Sequence, residues 1–315
     1  MCPRDFDTTP QKAMPRAVFL NSLPALQKIE SVVFAGWGET LMSPYAPEWL
    51  EAVSTRDYQT ALVTNGLLLD GEMAEKLASA PPFTLNVSID AGTRETYAKV
   101  RGRDRFEQAV DNLTEFMKRR NRHHSRTGVE WIYVMMKSNF RELPRAVALA
   151  RRSGVDKFTA KHLELAATRQ FMDEAIWNYP TSPDLAPELA EEMAAIEDEC
   201  RRIAEGKLIL NFHPLIHTDE YWGKSGPVFK MFLSHEGNVT ACSLISPNNH
   251  RPFSDPGFDR NWILGNVLEK PLEQIIESEV YRDFQNEWLS QTVPPPCRGC
   301  PFSLRLGEDG LCHAL

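Results

Sequence analysis

The chain has 315 residues, of which 42% are hydrophobic and 25% charged, and its formal net charge is −8. These proportions are typical of a folded globular protein and exclude a disordered chain, and the acidic balance argues against a nucleic-acid partner, which would need clustered Lys and Arg. No apolar stretch reaches the roughly 20 residues that span a bilayer, and the N-terminus lacks a signal pattern, so we expect a cytoplasmic protein without a membrane partner.

Residues 31 to about 165 alternate short β-branched runs with amphipathic helical stretches, which is the pattern of βα units around a parallel sheet. The predicted strands are 31–35, 60–63, 84–89, 130–135 and 157–162. Helical spacing places six apolar residues on one face of a predicted helix: Phe106, Ala109, Val110, Leu113, Phe116 and Met117. The pattern predicts an α/β domain over residues 1–165.

Two further segments follow this domain. Residues 166–230 are rich in Glu, Ala and Pro, with one predicted helix at 186–204 and little strand signal, which indicates a helical bridge. Residues 231–315 begin with a hairpin signal, strands 232–234 and 239–241, and continue as a loop-rich tail that contains cysteines. We therefore predict a third, small domain over residues 231–315.

Four of the six cysteines lie in this tail. Cys297 and Cys300 share a predicted tight turn, Cys242 follows the hairpin and Cys312 lies further along. Because thiols stay reduced in the cytoplasm, this cluster is more typical of metal ligands than of disulfides. Four thiolates suit a tetrahedral zinc ion or a 4Fe-4S cluster, and their spacing does not separate the two. The alternative is four unligated thiols in a tail that has little else to stabilise it.

Polar residues or glycines follow the first three predicted strands. The segment Gly36-Trp37-Gly38-Glu39 follows the first, Thr64-Asn65-Gly66 the second, and Ser88 and Asp90 lie at the third. The carboxyl ends of parallel strands meet at one rim, where α/β barrels bind their ligands, and glycine lets the backbone approach a ligand closely. A glycine after a strand is most often only a turn, but the recurrence predicts a shared small-molecule site.

These segments resemble the motifs of radical S-adenosylmethionine (SAM) enzymes. Residues 36–41 resemble the Gly-Gly-Glu-Pro motif with Thr40 in place of proline, residues 64–66 the Thr-Asn-Gly motif, and residues 87–90 the fourth-strand motif. Segments 97–102 and 136–139 also match. Segments 237–242, 264–267 and 297–300 of the tail resemble the auxiliary-cluster extension called SPASM, or its shorter relative, the twitch domain.

The resemblance implies a partial (βα)6 barrel of the TIM type that lacks its first strand, followed by a small loop-rich iron–sulfur domain. Eight residues are implied to bind SAM: Gly36, Gly38, Glu39, Thr64, Asn65, Ser88, Asp90 and Arg101. Gly36, Gly38 and Glu39 would hold the amino end of SAM, and Thr64 and Asn65 would line the same rim. Ser88 and Asp90 would contact the ribose region of SAM, and Arg101 would bind its carboxylate. In the family, a 4Fe-4S cluster on a CxxxCxxC loop reduces SAM and releases a 5′-deoxyadenosyl radical.

The cluster ligands implied by the resemblance are incomplete at the start of the chain. Met1-Cys2-Pro3 resembles the end of the CxxxCxxC loop, so Cys2 would be its third ligand, while the first two cysteines and the preceding strand are absent. We expect translation to begin further upstream, and we expect the chain as given to be inactive, because one thiolate cannot retain the cluster. Cys242, Cys297, Cys300 and Cys312 suffice for one auxiliary 4Fe-4S cluster, whereas full SPASM domains bind two.

The resemblance further implies an enzyme that modifies a peptide or protein, or that matures a cofactor. The expected partners are a peptide, protein or cofactor-precursor substrate and a reductant such as ferredoxin or flavodoxin. The alternative is a non-catalytic, degenerate barrel whose tail is stabilised by zinc or by a cluster. Lys161 and Asn139 are further rim candidates to which the sequence assigns no role, and loops that contact substrate carry little signal in one sequence.

Overall fold

The computed structural model describes residues 12–36, 38–54, 59–163, 173–176, 187–213, 230–243, 262–290, 292, 294–297, 304–306 and 312–314. Its main element is a six-stranded parallel sheet in which the strands lie in chain order. The strands are β1 (Ser31–Phe34), β2 (Gln59–Thr64), β3 (Thr84–Ser88), β4 (Gly128–Met135), β5 (Lys157–His162) and β6 (Ile209–Phe212). The sheet confirms the predicted α/β class.

Five of these strands lie where the sequence predicts them, and β6 was not predicted. It has four residues, its Ile209 is exposed, and it pairs with only β5 at the edge of the sheet. Such a short edge strand shows too little alternation to stand out in the sequence. The sheet therefore extends into the segment that the sequence identifies as a bridge, while the strand expected before Cys2 stays a prediction.

Amphipathic helices cover one face of the sheet. They are α2 (Ala46–Ser54), α3 (Gly71–Ser79), α4 (Arg94–Arg101), α5 (Phe106–Arg122), α6 (Leu143–Ser153) and α7 (Pro187–Ala204). The predicted apolar face of α5 is confirmed, because five of its six members are buried and Val110 is half-buried against the same core. Each fully buried Leu or Phe of this core contributes about 1.5–3 kcal/mol. In the described part of the chain, no helix is long and apolar enough to cross a membrane.

A smaller core lies in the C-terminal region. An antiparallel sheet of β7 (Phe232–Leu233), β8 (Asn238–Thr240) and β9 (Gly265–Asn266) confirms the predicted hairpin and adds a third strand. Two helices, α8 (Leu272–Ile276) and α9 (Glu279–Leu289), pack on it. The pair β10 (Leu304–Leu306) and β11 (Cys312–Ala314) forms a second hairpin.

The segment after residue 12 joins the two cores, which the sequence did not indicate. It consists of α1 (Arg16–Ser22) and a 3₁₀ turn (Leu23–Lys28). Val18 and Ala25 are buried in the C-terminal core, and the side-chain amide of Asn21 donates to the Val267 carbonyl at 3.1 Å. Phe19 and Leu26 instead pack in a cluster with α2 and β1 residues. One face of this segment therefore packs in the C-terminal core, and the other packs against α2 and β1.

Candidate functional site

The Glu39 carboxylate links the ends of the first two strands. The Thr64 hydroxyl donates to Glu39 Oε1 at 2.6 Å and the backbone N–H of Asn65 donates to Oε2 at 2.8 Å. Oε1 also accepts from the backbone N–H of Leu41 at 3.1 Å. Three of the predicted site residues are thus brought together, and the carboxylate fixes the loop after β1 against the turn after β2.

That turn is supported from behind by α5. Gly66 has a positive φ of 79°, a backbone conformation that favours glycine, and a Cβ there would lie 3.0 Å from the Val87 side chain, which would have to shift slightly. The Asn112 side chain donates to the Gly66 carbonyl at 2.9 Å, and Gln108 donates to the Leu67 carbonyl at 3.2 Å. The rim at Thr64 and Asn65 is therefore preorganised by protein contacts alone.

Arg101, the last residue of α4, reaches the end of β3. Its Nη2 donates to the Ser88 carbonyl at 2.9 Å and lies 2.5 Å from Asp90 Oδ2. Asp90 Oδ2 has no aligned hydrogen-bond donor, so the second contact is ionic. The backbone N–H of Val134 donates to Asp90 Oδ1 at 2.8 Å. The structure thus brings together Ser88, Asp90 and Arg101, and both oxygens of Asp90 already contact protein.

The backbone around Asp90 is pinned by two buried side chains. Asn139 donates from Nδ2 to the carbonyls of Asp90 and Val134, each at 2.9 Å, and its Oδ1 accepts from the Met136 N–H at 2.6 Å. The Trp131 indole donates to the Ile89 carbonyl at 2.8 Å. Asn139, a rim candidate without a role in the sequence, therefore orders the strand end and does not face a ligand, since it is 0% exposed.

Glu142 fixes the other end of α4. Its Oε2 accepts from the Gly92 N–H at 2.9 Å, and its Oε1 accepts from the hydroxyls of Thr93 and Thr96 at 2.9 and 2.7 Å. A carboxylate at a helix N-terminus also interacts favourably with the helix dipole. Glu142 therefore fixes the start of the helix that carries Arg101.

Tyr97 lies among the charged groups of the site. It is 2% exposed, and burial raises the pKa of its hydroxyl, with Arg101 lowering that pKa and Asp90 and Glu39 raising it to smaller extents. The phenol therefore stays neutral at physiological pH. Its interaction with all three charges shows that the residues after β1 and β3 and at the end of α4 share one electrostatic environment.

Several features fit a bound nucleotide with an amino-acid end. The Nε of Arg101 is buried and has no hydrogen-bond partner in the described chain, so a charged donor is available at the rim. Gly36 and Gly38 are exposed, and a Cβ at either position would meet nothing within 4 Å among described atoms. Packing therefore does not require glycine there, which is consistent with close approach of a ligand to the backbone.

The cysteines are described only in part. Cys297 is buried in the C-terminal core and Cys242 packs against the same core, so the fold brings two of the four predicted ligands into one small cluster. Cys2 and Cys300 and the side chain of Cys312 lie outside the described residues. Within the described residues no three His, Cys, Asp or Glu side chains form a metal site. The predicted ligand set stays a prediction, and soft thiols in an apolar core fit an iron–sulfur cluster.

Sequence reasoning missed two residues that order this site, Asn112 and Glu142, and it named Asn139 as a rim candidate without a role. Each of the three bonds to backbone or hydroxyl groups of the strand ends or of α4. Asn139 follows a strand, which is the same signal that marked Glu39. Asn112 and Glu142 carry no comparable signal, because a polar residue in or beside a helix is usually solvated.

Two protein families match the chain, one in its N-terminal α/β region and one in its C-terminal region. Residues 1–150 match the radical SAM superfamily, and residues 226–301 match SPASM, an iron–sulfur cluster-binding domain.

Two curated relatives extend over most of the chain. Over 272 residues it is 24% identical to the Fe-coproporphyrin III synthase of Methanosarcina barkeri, an alignment that covers 82% of this chain and 63% of that protein. Over 292 residues it is 24% identical to the tungsten-containing aldehyde ferredoxin oxidoreductase cofactor-modifying protein of Pyrococcus furiosus. That alignment covers 90% of this chain and 78% of the relative. The chain thus spans less than two thirds of the length of the first of these relatives.

The fold is similar to that of SuiB from Streptococcus suis. The comparison with SuiB bound to S-adenosylmethionine gives a TM-score of 0.61 at 14% identity, over 88% of this chain and 62% of SuiB. The comparison with SuiB bound to its precursor peptide SuiA gives a TM-score of 0.60 at 15% identity, and it covers 90% of this chain and 63% of SuiB. At this identity the likeness shows the partial-barrel fold alone.

Proposed function

Because the chain belongs to the radical SAM proteins that carry a C-terminal SPASM domain, we propose that its gene product generates a 5′-deoxyadenosyl radical to modify a peptide or protein, or to mature a cofactor. The observation that carries this proposal is a set of hydrogen bonds between the ends of neighbouring strands. Glu39, after β1, bonds to the end of β2, and Arg101, at the end of α4, bonds to the end of β3. Separate segments of the motif pattern thereby form one rim.

Each rim residue has a proposed task. Arg101 binds the carboxylate of SAM through N–H groups that have no partner among the described residues, which gives a charge-assisted contact. Gly36 and Gly38 let backbone groups approach the amino end, and Glu39 accepts from its ammonium group. Thr64 and Asn65 keep Glu39 in place, and Ser88 lies beside the ribose region.

The cofactor supplies the difficult chemistry: when bound, a 4Fe-4S cluster reduces the sulfonium of SAM. Cys2 is the ligand that this chain offers to it, and Cys242, Cys297, Cys300 and Cys312 would hold one auxiliary cluster. The chain positions SAM, keeps Tyr97 neutral beside it and shields the strand ends from water with buried side chains. A reductant such as ferredoxin or flavodoxin, encountered in the cytoplasm, completes the proposal.

The substrate class is proposed from the relatives. The name of the Pyrococcus furiosus relative describes a cofactor-modifying protein, and a solved structure of SuiB holds a precursor peptide. A peptide or a cofactor precursor is therefore the proposed substrate of this chain.

A second candidate is a non-catalytic scaffold with a zinc-stabilised tail. Its basis is that the four thiolates of Cys242, Cys297, Cys300 and Cys312 suit a tetrahedral zinc ion as well as a 4Fe-4S cluster. Metal analysis of anaerobically purified protein separates the candidates, because the enzyme contains iron and the scaffold contains zinc.

The proposal is tested by measuring 5′-deoxyadenosine in two proteins. One is the chain as given, and the other is the same chain extended by the in-frame codons upstream of Met1. After anaerobic reconstitution with iron, sulfide, SAM and dithionite, we expect 5′-deoxyadenosine from the extended protein and none from the chain as given. A product from the chain as given would contradict the expected inactivity, and no product from an extended, iron-loaded protein would contradict the proposed function.

A further inference from the structure

Asp90 is buried at the point where β3 ends. Its side chain is 0% exposed, its Oδ1 accepts from the Val134 N–H at 2.8 Å, and its Oδ2 lies 2.5 Å from Arg101 Nη2. Because the Asp90 side chain is 0% exposed and is enclosed by the Val134 backbone and the Arg101 guanidinium, a ribose hydroxyl could reach this carboxylate only if Arg101 moved away from it. A buried charge that loses its partner is strongly unfavourable, so such a displacement is not expected.

We propose that Asp90 is a positioning residue, which acts on SAM only by fixing the Arg101 guanidinium for the SAM carboxylate. The inference rests on the proposed SAM site and deepens it, because it replaces the predicted ribose contact of Asp90 with an indirect role.

The geometry of Arg101 supports this role. Nη2 makes both protein contacts, to Asp90 and to the Ser88 carbonyl, so the N–H groups of Nε and Nη1 remain for a ligand among the described residues. The guanidinium is planar and presents its donors in a fixed arrangement. Fixing Nη2 therefore also fixes the direction of the unused donors.

The helix itself does not depend on Asp90. Glu142 fixes the N-terminal end of α4 through Gly92, Thr93 and Thr96, and α4 buries Tyr97 and Val100 in the core. Losing the Asp90 charge should leave α4 in place and free only the guanidinium. The expected defect is thus confined to ligands that carry a carboxylate.

The test compares two ligands that differ only at that carboxylate. They are SAM and decarboxylated SAM, which keeps the adenine, the ribose, the sulfonium and the ammonium group. Equilibrium dialysis of anaerobically purified chain gives both Kd values for the wild type, for Asp90→Asn and for the control Asp104→Asn. Asp104 pairs with Arg94 of the same helix, but both side chains are exposed.

For Asp90→Asn we expect the Kd for SAM to rise about tenfold, because the Arg101 guanidinium is no longer held in place for its charge-assisted contact with the SAM carboxylate. The Kd for decarboxylated SAM should stay unchanged. Asp104→Asn should change neither value. Equal weakening of both ligands in Asp90→Asn would overturn the inference, and so would unchanged SAM binding. A wild-type chain that binds neither ligand would overturn the proposed SAM site, and this inference with it.

The double variant Asp90→Asn/Arg101→Gln keeps the test valid if Asp90→Asn does not fold, because removing both partners leaves no unpaired buried charge. Since Asp90 acts through Arg101, the double variant should bind SAM as Arg101→Gln does. Weaker binding of both ligands by the double variant than by Arg101→Gln would show an independent contact and overturn the inference.

Discussion

The rim of the parallel sheet and the C-terminal cysteine region are stabilised in different ways. At the rim, Glu39, Asp90 and Asn139 each bond to protein groups, and helices α4 and α5 support the strand ends. The C-terminal region has a three-stranded sheet, two helices and a core that includes Cys297. It also takes Val18 and Ala25 from the start of the chain.

The rim is held by contacts between protein groups, whereas we expect the small C-terminal region to need additional links for stability. Small domains usually need metal, disulfides or outside contacts to offset their conformational entropy. Here the outside contact is the segment 16–28, and the proposed metal is the auxiliary cluster. The following predictions test that contrast, beginning with the largest expected effect.

Removing metal with an anaerobic chelator should affect the two regions unequally. We expect amide exchange in residues 230–243 and 262–290 to accelerate by at least about a thousandfold, because metal ligation supplies much of the folding free energy of small metal-binding domains. Exchange in the buried strands β3 and β4 should remain slow. Equal acceleration in both regions, measured by mass spectrometry, would contradict the contrast.

Two buried cysteines provide a matched pair of substitutions. Cys297→Ser should abolish the auxiliary cluster, with loss of about four iron atoms per chain, while Cys200→Ser should keep the iron. Cys200 lies on α7 and is buried in the main core, where burial raises the pKa of its thiol to about 12. It lies in a different core from Cys297 and therefore serves as the control. Iron analysis checks both variants, and iron retained in Cys297→Ser would contradict the ligand prediction.

Glu39→Gln should weaken the rim without unfolding the chain. The substitution keeps one acceptor oxygen but places an amide nitrogen against a protein donor, which costs about 1–3 kcal/mol of unfolding free energy. We also expect the Kd for SAM to rise at least tenfold. The control is Glu48→Gln, whose solvent-exposed pair with Arg16 should contribute little to the free energy of unfolding. Denaturant unfolding and equilibrium dialysis measure both effects, and a Glu39→Gln variant that behaves like the control would contradict the assigned role.

The smallest effect concerns the joining segment. Val18 and Val53 are both 0% exposed, but Val18 lies in the C-terminal core and Val53 lies in the cluster on α2. Each substitution to alanine should cost about 1–2 kcal/mol through loss of buried methyl groups. Only Val18→Ala should accelerate amide exchange in residues 262–290. If Val53→Ala also accelerates amide exchange in residues 262–290, the face of the segment that packs on α2 is not independent of the face that packs on the C-terminal core.

The sequence predicted the strand ends better than the contacts between them. Glu39 and Asn65 follow strands and Ser88 ends one, so a parallel topology alone brings them to one rim. The buried role of Asp90 could not be predicted, because it depends on Val134 and Arg101, which lie on other elements. Strand β6 was missed because it is short, and the joining role of α1 was missed because its two apolar faces serve different cores.

The central claim, an iron–sulfur domain beside a preformed SAM rim, is tested most directly by metal and sulfide analysis of the chain purified without oxygen. The account predicts about four iron and four sulfide per chain, bound through the C-terminal cysteines, and no stoichiometric zinc. A colourless protein with one zinc and no sulfide would contradict it.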